Sequence, residues 1–330
     1  MDNRDVIVIG ASAGGLGALR KLLGGLPGNL PAAVFVVVHR GEEEPSLLAE
    51  LLDAVGPLPA ETAEEGQIFR HGRIYVSPAD RHLLVGRDHI HVRRGPRENR
   101  SRPAIDPLFR SAAASCSTRV IGIVLSGMLD DGASGLLAIR RCGGLAIVQA
   151  PEDAEFPEMP SNALRRGNVD QILPVREMPA LLVELVRQPR PPAMDPPDDV
   201  RLEAMIPAMD VGDSAGKLGR LSPLTCPDCH GVIYEIEENG ALRYRCHTGH
   251  AFGTDSLRAA QDEVLERALY DAMRTQVEQA LLAQRIAQEN RHTGNARGAE
   301  WMERRAASYR EGAETLRRLI AANGAGTEAI

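Results

Sequence analysis

Lysine is almost missing from this chain. Lys21 and Lys217 are the only two among 38 basic residues, so the positive charge is nearly all arginine, a compositional bias with no site attached. A formal net charge of -7 over 330 residues leaves no basic stripe to follow a phosphate backbone, which argues against nucleic acid as a partner. Long apolar runs are missing too. Residues 32–38 form one of the longest, far short of the roughly 20 residues a membrane-spanning helix needs. The opening Met1-Asp2-Asn3-Arg4-Asp5 lacks the basic-then-apolar layout of a secretion signal. A soluble, cytoplasmic protein is expected, meeting a membrane only through a partner. An even cysteine count, the mark of a disulfide framework, is absent as well. Five cysteines are present, and Cys226, Cys229 and Cys246 crowd one segment, which suits a metal in a reducing compartment. Cys116 and Cys142 lie in helix-period text and are expected in the core.

What is present reads as an α/β protein. Residues 5–188 alternate short β-branched runs with helical periods: 6–10 then a helix from Gly14, 33–39 then a helix from Pro45, 120–125 then a helix from Gly132, and a further run at 145–149. Such alternation predicts a doubly wound, mostly parallel sheet in three α/β/α layers. Residues 72–93 read as two or three short strands, an antiparallel excursion at the sheet edge. The text from 189 to 222 turns to Pro, Asp and Gly and predicts a linker between a catalytic domain (1–188) and a C-terminal module. That module divides into a Cys/His segment (223–253) and apolar residues at helical spacing (254–330), such as Leu257, Val264, Leu265, Ala268 and Leu269, which predict a helical hairpin with its break near 292–298.

The strongest local signal is a strand, 6–10, that runs into Gly10-Ala11-Ser12-Ala13-Gly14 at the opening of a helix. In a G-x-S-x-G turn of this kind the serine stands up at the carboxyl edge of the sheet, and glycines remove Cβ atoms that would clash. A dinucleotide-binding turn is the bland alternative, but Ser12 occupies the place of its middle glycine, and the second strand ends in His39 where a ribose-binding acid is expected. His39 falls at the same edge, within reach of Ser12 as a general base. A third strand ends in Ser126-Gly127-Met128-Leu129-Asp130-Asp131-Gly132, bringing an acid to that edge; either Asp130 or Asp131 could orient His39, and either could merely cap the next helix. The order Ser, His, Asp differs from the Ser, Asp, His order of α/β-hydrolases, so a lipase-like assignment is disfavoured.

With these residues in place, the chain resembles the catalytic domain of CheB-type chemotaxis protein-glutamate methylesterases over about 6–186. The resemblance rests on Gly10 to Gly15, Val38-His39, Tyr75-Val76-Ser77-Pro78-Ala79-Asp80, the segment from Arg102 to Ser111, and the segment from Leu125 to Gly132. It implies Ser12 as nucleophile, His39 as base and Asp131, directly before Gly132, as the third member. It also implies that the Ala13 N–H and the neighbourhood of Met128 stabilise an oxyanion. Demethylation of glutamyl methyl esters without a cofactor is implied, with deamidation of glutamine by the same route. The implied partner is the helical cytoplasmic region of a methyl-accepting chemoreceptor. The family places a phosphoacceptor receiver domain ahead of this domain, whereas this chain opens almost directly on the first strand. Control by phosphorylation in cis is therefore expected to be absent.

Cys226-x2-Cys229, sixteen residues, then Cys246-x3-His250 has zinc-ribbon spacing, with strands at 231–236 and 241–245 around Asn239-Gly240 to join the halves. Structural zinc is expected on Cys226, Cys229, Cys246 and His250, with His247 the alternative fourth ligand. Four filled positions leave no room for water and no catalytic role. The hairpin faces need burial against each other, a second copy or a target helix, so self-association is a further expectation. Two rival classes are a non-enzymatic chemosensory scaffold that keeps the esterase fold, and an NAD-binding oxidoreductase.

Overall fold

The computed structural model describes residues 3–39, 47–167, 169–208 and 214–324. It separates into two compact units, Met1–Leu257 and Arg258–Ile330.

The first part of the chain runs β1 (Val6–Ala11), α1 (Gly15–Gly24), β2 (Ala33–Val38), α2 (Leu48–Asp53), β3 (Ala60–Thr62), β4 (Arg73–Val76), β5 (His82–Val85) and β6 (Ile90–Arg93), then α3 (Ile105–Cys116). After it come β7 (Val120–Val124), α4 (Ala133–Arg141), β8 (Leu145–Gln149), α5 (Glu158–Arg166), β9 (Gln171–Leu173) and α6 (Met178–Leu185). Seven strands make one sheet in the order β3-β4-β2-β1-β7-β8-β9, and every pairing in it is parallel. Alternation along β1 decides the layers. Val6 and Val8 face the core shared with α3, α4 and α5, while Ile7 and Ile9 face the core shared with α1, α2 and α6. A strand covered on both faces has no polar side, which is why β1 and β2 read as unbroken apolar runs. Full burial of each such Val, Ile or Leu contributes about 1.5–3 kcal/mol.

The expected antiparallel excursion at 72–93 is corrected in part. Only β5 and β6 pair antiparallel, as a separate two-stranded sheet, whereas β4 lies parallel between β2 and β3. Ile74 and Tyr75 point to opposite faces and are both buried, which suits an interior strand. Cys116 and Cys142 are buried as expected.

Chain order reverses between β1 and β7. From β1 the chain winds outward through β2 on one side; from β7 it winds outward through β8 on the other. This is the switch point where open parallel sheets carry their crevice, at the carboxyl ends of the strands. Ser12 and the 126–131 loop leave from those two ends.

Within 189–222 the chain forms α7 (Asp198–Met205) and α8 (Ser214–Leu218), and β10 (Arg220–Thr225) begins at Arg220. Asp198 and Asp199 in the first turn of α7 favour its start through the helix dipole. β10, β11 (Val232–Glu238), β12 (Ala241–Cys246) and β13 (Ala251–Gly253) form an antiparallel sheet in sequence order. Asn239 and Gly240, with φ of 53° and 79°, make the tight turn between β11 and β12. Then follow α9 (Thr254–His292) and α10 (Ala296–Gly324). The hairpin seam is built of small residues, with Ala280, Ala283 and Ala287 of α9 and Ala299, Ala306 and Ala313 of α10 all buried. Leu265, Leu281 and Leu282 are exposed. Among the described residues no helix is long and apolar enough to cross a membrane.

Candidate active site

Strand register brings the first two site residues together. Ala11 lies opposite Val38, and the His39 N–H donates to the Ala11 carbonyl at 3.2 Å, so Ser12 and His39 follow on adjacent strand ends. Ser12 in turn donates its N–H to the Ser126 carbonyl at 3.0 Å, which ties the end of β1 to the loop after β7. That loop lies close over the serine: a Cβ built on Gly127 would stand 2.8 Å from Ser12 Cβ. Gly14 has φ of +68°, and a Cβ there would meet Glu155 Cβ at 2.8 Å and Ser126 Oγ at 2.9 Å, so the turn needs glycine on both counts.

His39 Nε2 lies 2.6 Å from Asp131 Oδ2, with the carboxylate side chain 2% exposed and the imidazole 18%. An ionised Asp131 requires the proton on Nε2, which leaves Nδ1 as the basic nitrogen of the neutral ring. The same carboxylate accepts from the N–H of Ile105 at 2.6 Å, Asp106 at 3.1 Å and Gly132 at 2.9 Å, and from Asn99 Nδ2 at 2.8 Å. Burial favours its neutral form, but the His39 bond and charge, with the Ile105 and Asn99 donors, outweigh burial and hold its pKa below the ordinary range. Next to it, Asp106 is pushed up to about 7 by burial and then by the Asp131 charge.

Asp130 faces elsewhere. Its Oδ2 accepts from the Asp255 N–H at 3.2 Å, and a Cβ on Gly253 would fall 1.8 Å from that oxygen. Neither Asp130 nor Asp131 caps α4 through its side chain; it is Asp106 Oδ1 that accepts from the Gly135 N–H there, at 2.6 Å. Ala13 has its carbonyl fixed by Ser126 Oγ at 2.8 Å. Met128 is exposed, between two pinned neighbours: the Gly127 N–H donates to Phe156 O at 3.0 Å and the Leu129 N–H to Glu158 Oε2 at 2.8 Å.

In the C-terminal sheet Cys226, Cys229, Cys246 and His250 gather with their ligand atoms all within 4.8 Å of one another, a set able to hold a metal ion. Cys229 Sγ and Cys246 Sγ are 3.8 Å apart, and His250 Nδ1 stands 3.8 Å from Cys226 Sγ and 3.5 Å from Cys246 Sγ. A tetrahedral ion with bonds of about 2.3 Å to sulfur and 2.0–2.1 Å to nitrogen needs edges of roughly 3.8 and 3.6 Å. His247 is exposed and stands outside this group.

The family model for the CheB methylesterase matches residues 7–182. The chain belongs to that family. It is 38% identical over 192 residues to a protein-glutamate methylesterase/protein-glutamine glutaminase of Methanosarcina mazei, covering 56% of this chain and 52% of that one. A putative protein of the same name from Leptospira interrogans is 36% identical over 184 residues, covering 56% of this chain and 95% of that one. Among solved structures, the CheB methylesterase catalytic domain of Thermotoga maritima matches with a TM-score of 0.54 at 31% identity, over 55% of this chain and 98% of that one. The chain spans about half the length of relatives such as the Methanosarcina protein.

Sequence reasoning did not single out Asn99, although it touches Asp131, Asp106 and the C-terminal sheet of this CheB methylesterase-family chain. Its loop carries no hydrophobic period, and half of its partners lie beyond the family-matched region. Asp106 lies in the segment from Arg102 to Ser111, whose sequence assigns it no role. Glu98 and Glu203, both buried, are met by the arginines of β12. Arg245 donates to Glu98 Oε1 at 3.1 Å and to Glu203 Oε1 at 3.0 Å, and Arg243 donates to Glu203 Oε1 at 2.6 Å. Arg110 completes the group by donating to Glu98 Oε2.

Proposed function

We propose that the chain is a serine hydrolase removing methyl esters from glutamyl side chains of a signalling protein, with Ser12 as nucleophile, His39 as base and Asp131 as its orienting acid. The single observation carrying this reading is the 2.6 Å His39–Asp131 bond at the switch point, one residue past the pair that sets the β1 and β2 ends side by side. His39 Nδ1 takes the Ser12 proton as Oγ attacks the γ-carbonyl; the Ala13 N–H and the Met128 N–H receive the oxyanion. The imidazolium, steadied by Asp131, returns its proton to the departing methoxide. Methanol leaves, and water activated by the same ring then hydrolyses the acyl-enzyme. These steps use only side chains, backbone amides and water.

Two relatives carry glutaminase in their names, and the same route serves a glutamine side chain with ammonia leaving. As substrate we infer the helical cytoplasmic region of a methyl-accepting chemoreceptor. The Cys226, Cys229, Cys246 and His250 set fits zinc in edge length and donor type, and would hold it structurally with every position filled. Asp228 Oδ2, 3.9 Å from His250 Nε2, stands ready to orient that ring.

The test is methanol release from membranes bearing methylated receptors. Release by the intact chain that is absent with Ser12→Ala supports the reading; equal, background-level release from both overturns it.

A further inference from the structure

The C-terminal sheet reaches the catalytic acid through one side chain. Asn99 sits in the left-handed region at φ 49° and is 7% exposed. Its Nδ2 donates to Asp131 Oδ1 at 2.8 Å and to Asp106 Oδ2 at 3.0 Å. Its Oδ1 accepts from the Gly253 N–H at 2.9 Å and from Ser256 Oγ at 3.0 Å, and Ser256 is fully buried. This pattern fixes the amide's orientation, because a flipped Asn99 would turn its oxygen onto two carboxyl groups and its NH2 onto an N–H donor. The backbone repeats the link: the Asn99 N–H donates to Ala251 O at 2.7 Å and the Ala251 N–H to Arg97 O at 3.3 Å, so loop 97–99 continues the sheet beyond β13.

We propose that the corner formed by Gly253 and Ser256 is a positioning element of the esterase, holding Asn99 so that Asp131 keeps the orientation His39 requires. The metal-ligand set is part of this device. His250 directly precedes β13, and its carbonyl accepts from the Cys246 N–H at 2.9 Å, so ligation fixes the strand that fixes Asn99. Arg245 of β12 and Glu98, next in sequence to Asn99, anchor the two layers as a fully buried pair. Loading of the cysteine–histidine site thereby sets how well the triad is assembled. The inference rests on the triad reading above and adds to it the source of Asp131's geometry.

The experiment uses the full chain and four preparations: intact, Ser256→Ala, Asn99→Ala, and intact protein stripped of metal with a chelator and then returned to Zn2+. Hydrolysis of p-nitrophenyl acetate is normalised to sites titrated with a fluorophosphonate, so that unfolded molecules drop out of kcat. The low-field proton resonance of the His39–Asp131 bond is followed alongside. Asn99→Ala should lower kcat roughly ten- to hundredfold and Ser256→Ala several-fold, each with KM nearly unchanged and the resonance broadened or shifted. Chelation should reproduce the Ser256→Ala signature, and Zn2+ should reverse it. A merely structural corner gives lower melting temperatures with normalised kcat and the resonance unmoved, and that result overturns the proposal. If Ser256→Ala does not fold, the chelated intact chain decides by the same two readouts. Asp131→Asn separates the layers of inference: undiminished kcat there sinks the triad reading, whereas a large loss there beside unchanged Asn99 and Ser256 variants sinks only the positioning element.

Discussion

His39 turns Nε2, not Nδ1, towards Asp131, at 2.6 Å from Oδ2. The ring is thus used in the opposite sense from chymotrypsin-type triads, where the aspartate holds Nδ1 and Nε2 serves the serine. Ser12→Ala and His39→Gln are expected to cut turnover by roughly 10^4–10^6, and Asp131→Asn by about 10^4 or less, with folding intact. Nitrogen NMR of the neutral ring should show the proton on Nε2. A ring protonated on Nδ1 would contradict the geometry.

Glu203 predicts an acid-sensitive anchor. Burial works against its charge, but Arg243, Arg245 and Arg110 outweigh burial and hold its pKa well below the ordinary 4.5. A depressed acid contributes stability that is fully present above its unfolded pKa and lost as pH falls through its folded one. Glu203→Gln should therefore cost about 3–5 kcal/mol in urea unfolding at pH 7. The gap to the unaltered chain should persist down to about pH 4.5 and shrink only below it. A gap that closes already between pH 7 and 5 would mean that the network does not carry the charge.

Metal content is checked by native mass spectrometry. About one equivalent of zinc per chain is expected, lost on Cys226→Ser or Cys246→Ser, while residues of the seven-stranded sheet keep their protection from hydrogen exchange. A chain that is fully folded and metal-free after expression in zinc-replete medium would refute the assignment.

Gly10→Ala tests the close approach beneath the site. A Cβ there would stand 2.3 Å from Ile105 Cγ2, and the Ile105 N–H is a donor to Asp131. Overpacking should cost about 1–3 kcal/mol of stability and, where Ile105 yields by shifting its backbone and with it the amide that donates to Asp131, lower kcat at the same time. Lost stability with unchanged kcat would show that the α3 amino end moves independently of the acid.

What could be read from the sequence was local. Ser12, His39 and Asp131 each sit where a β-branched run stops and a helix begins, so period and turn chemistry marked all three ends, and the Cys/His spacing marked the second site. Choosing between Asp130 and Asp131 was beyond spacing, since adjacent residues share the loop and only the fold turns one to His39 and the other to Gly253. Direction was illegible in β4: four residues do not say whether their neighbour runs parallel. The burial of Arg243 and Arg245 was not legible, because their partners Glu203 and Glu98 lie 40 and 147 positions away. Asn99 was invisible for the same reason, since beyond nearby Asp106 its side-chain partners Asp131, Gly253 and Ser256 lie 32 to 157 positions away.

The bond between Gly253 and Asn99 closes a loop of 154 residues, the distance between the middle of the sheet domain and its last supporting strand. Ribosomes extend chains at about 5–20 residues per second, so roughly 8–30 s separate the emergence of these two partners. Once β9 (Gln171–Leu173) has been made the seven-stranded sheet has all its strands, but the Asn99 amide oxygen still lacks its Gly253 and Ser256 donors. If the corner acts as proposed, the nascent chain passes through a stage in which the sheet is complete and Asp131 is less firmly held, and full turnover comes only with translation of its distal quarter. A ribosome-stalled chain ending shortly before Gly253 is that stage held still.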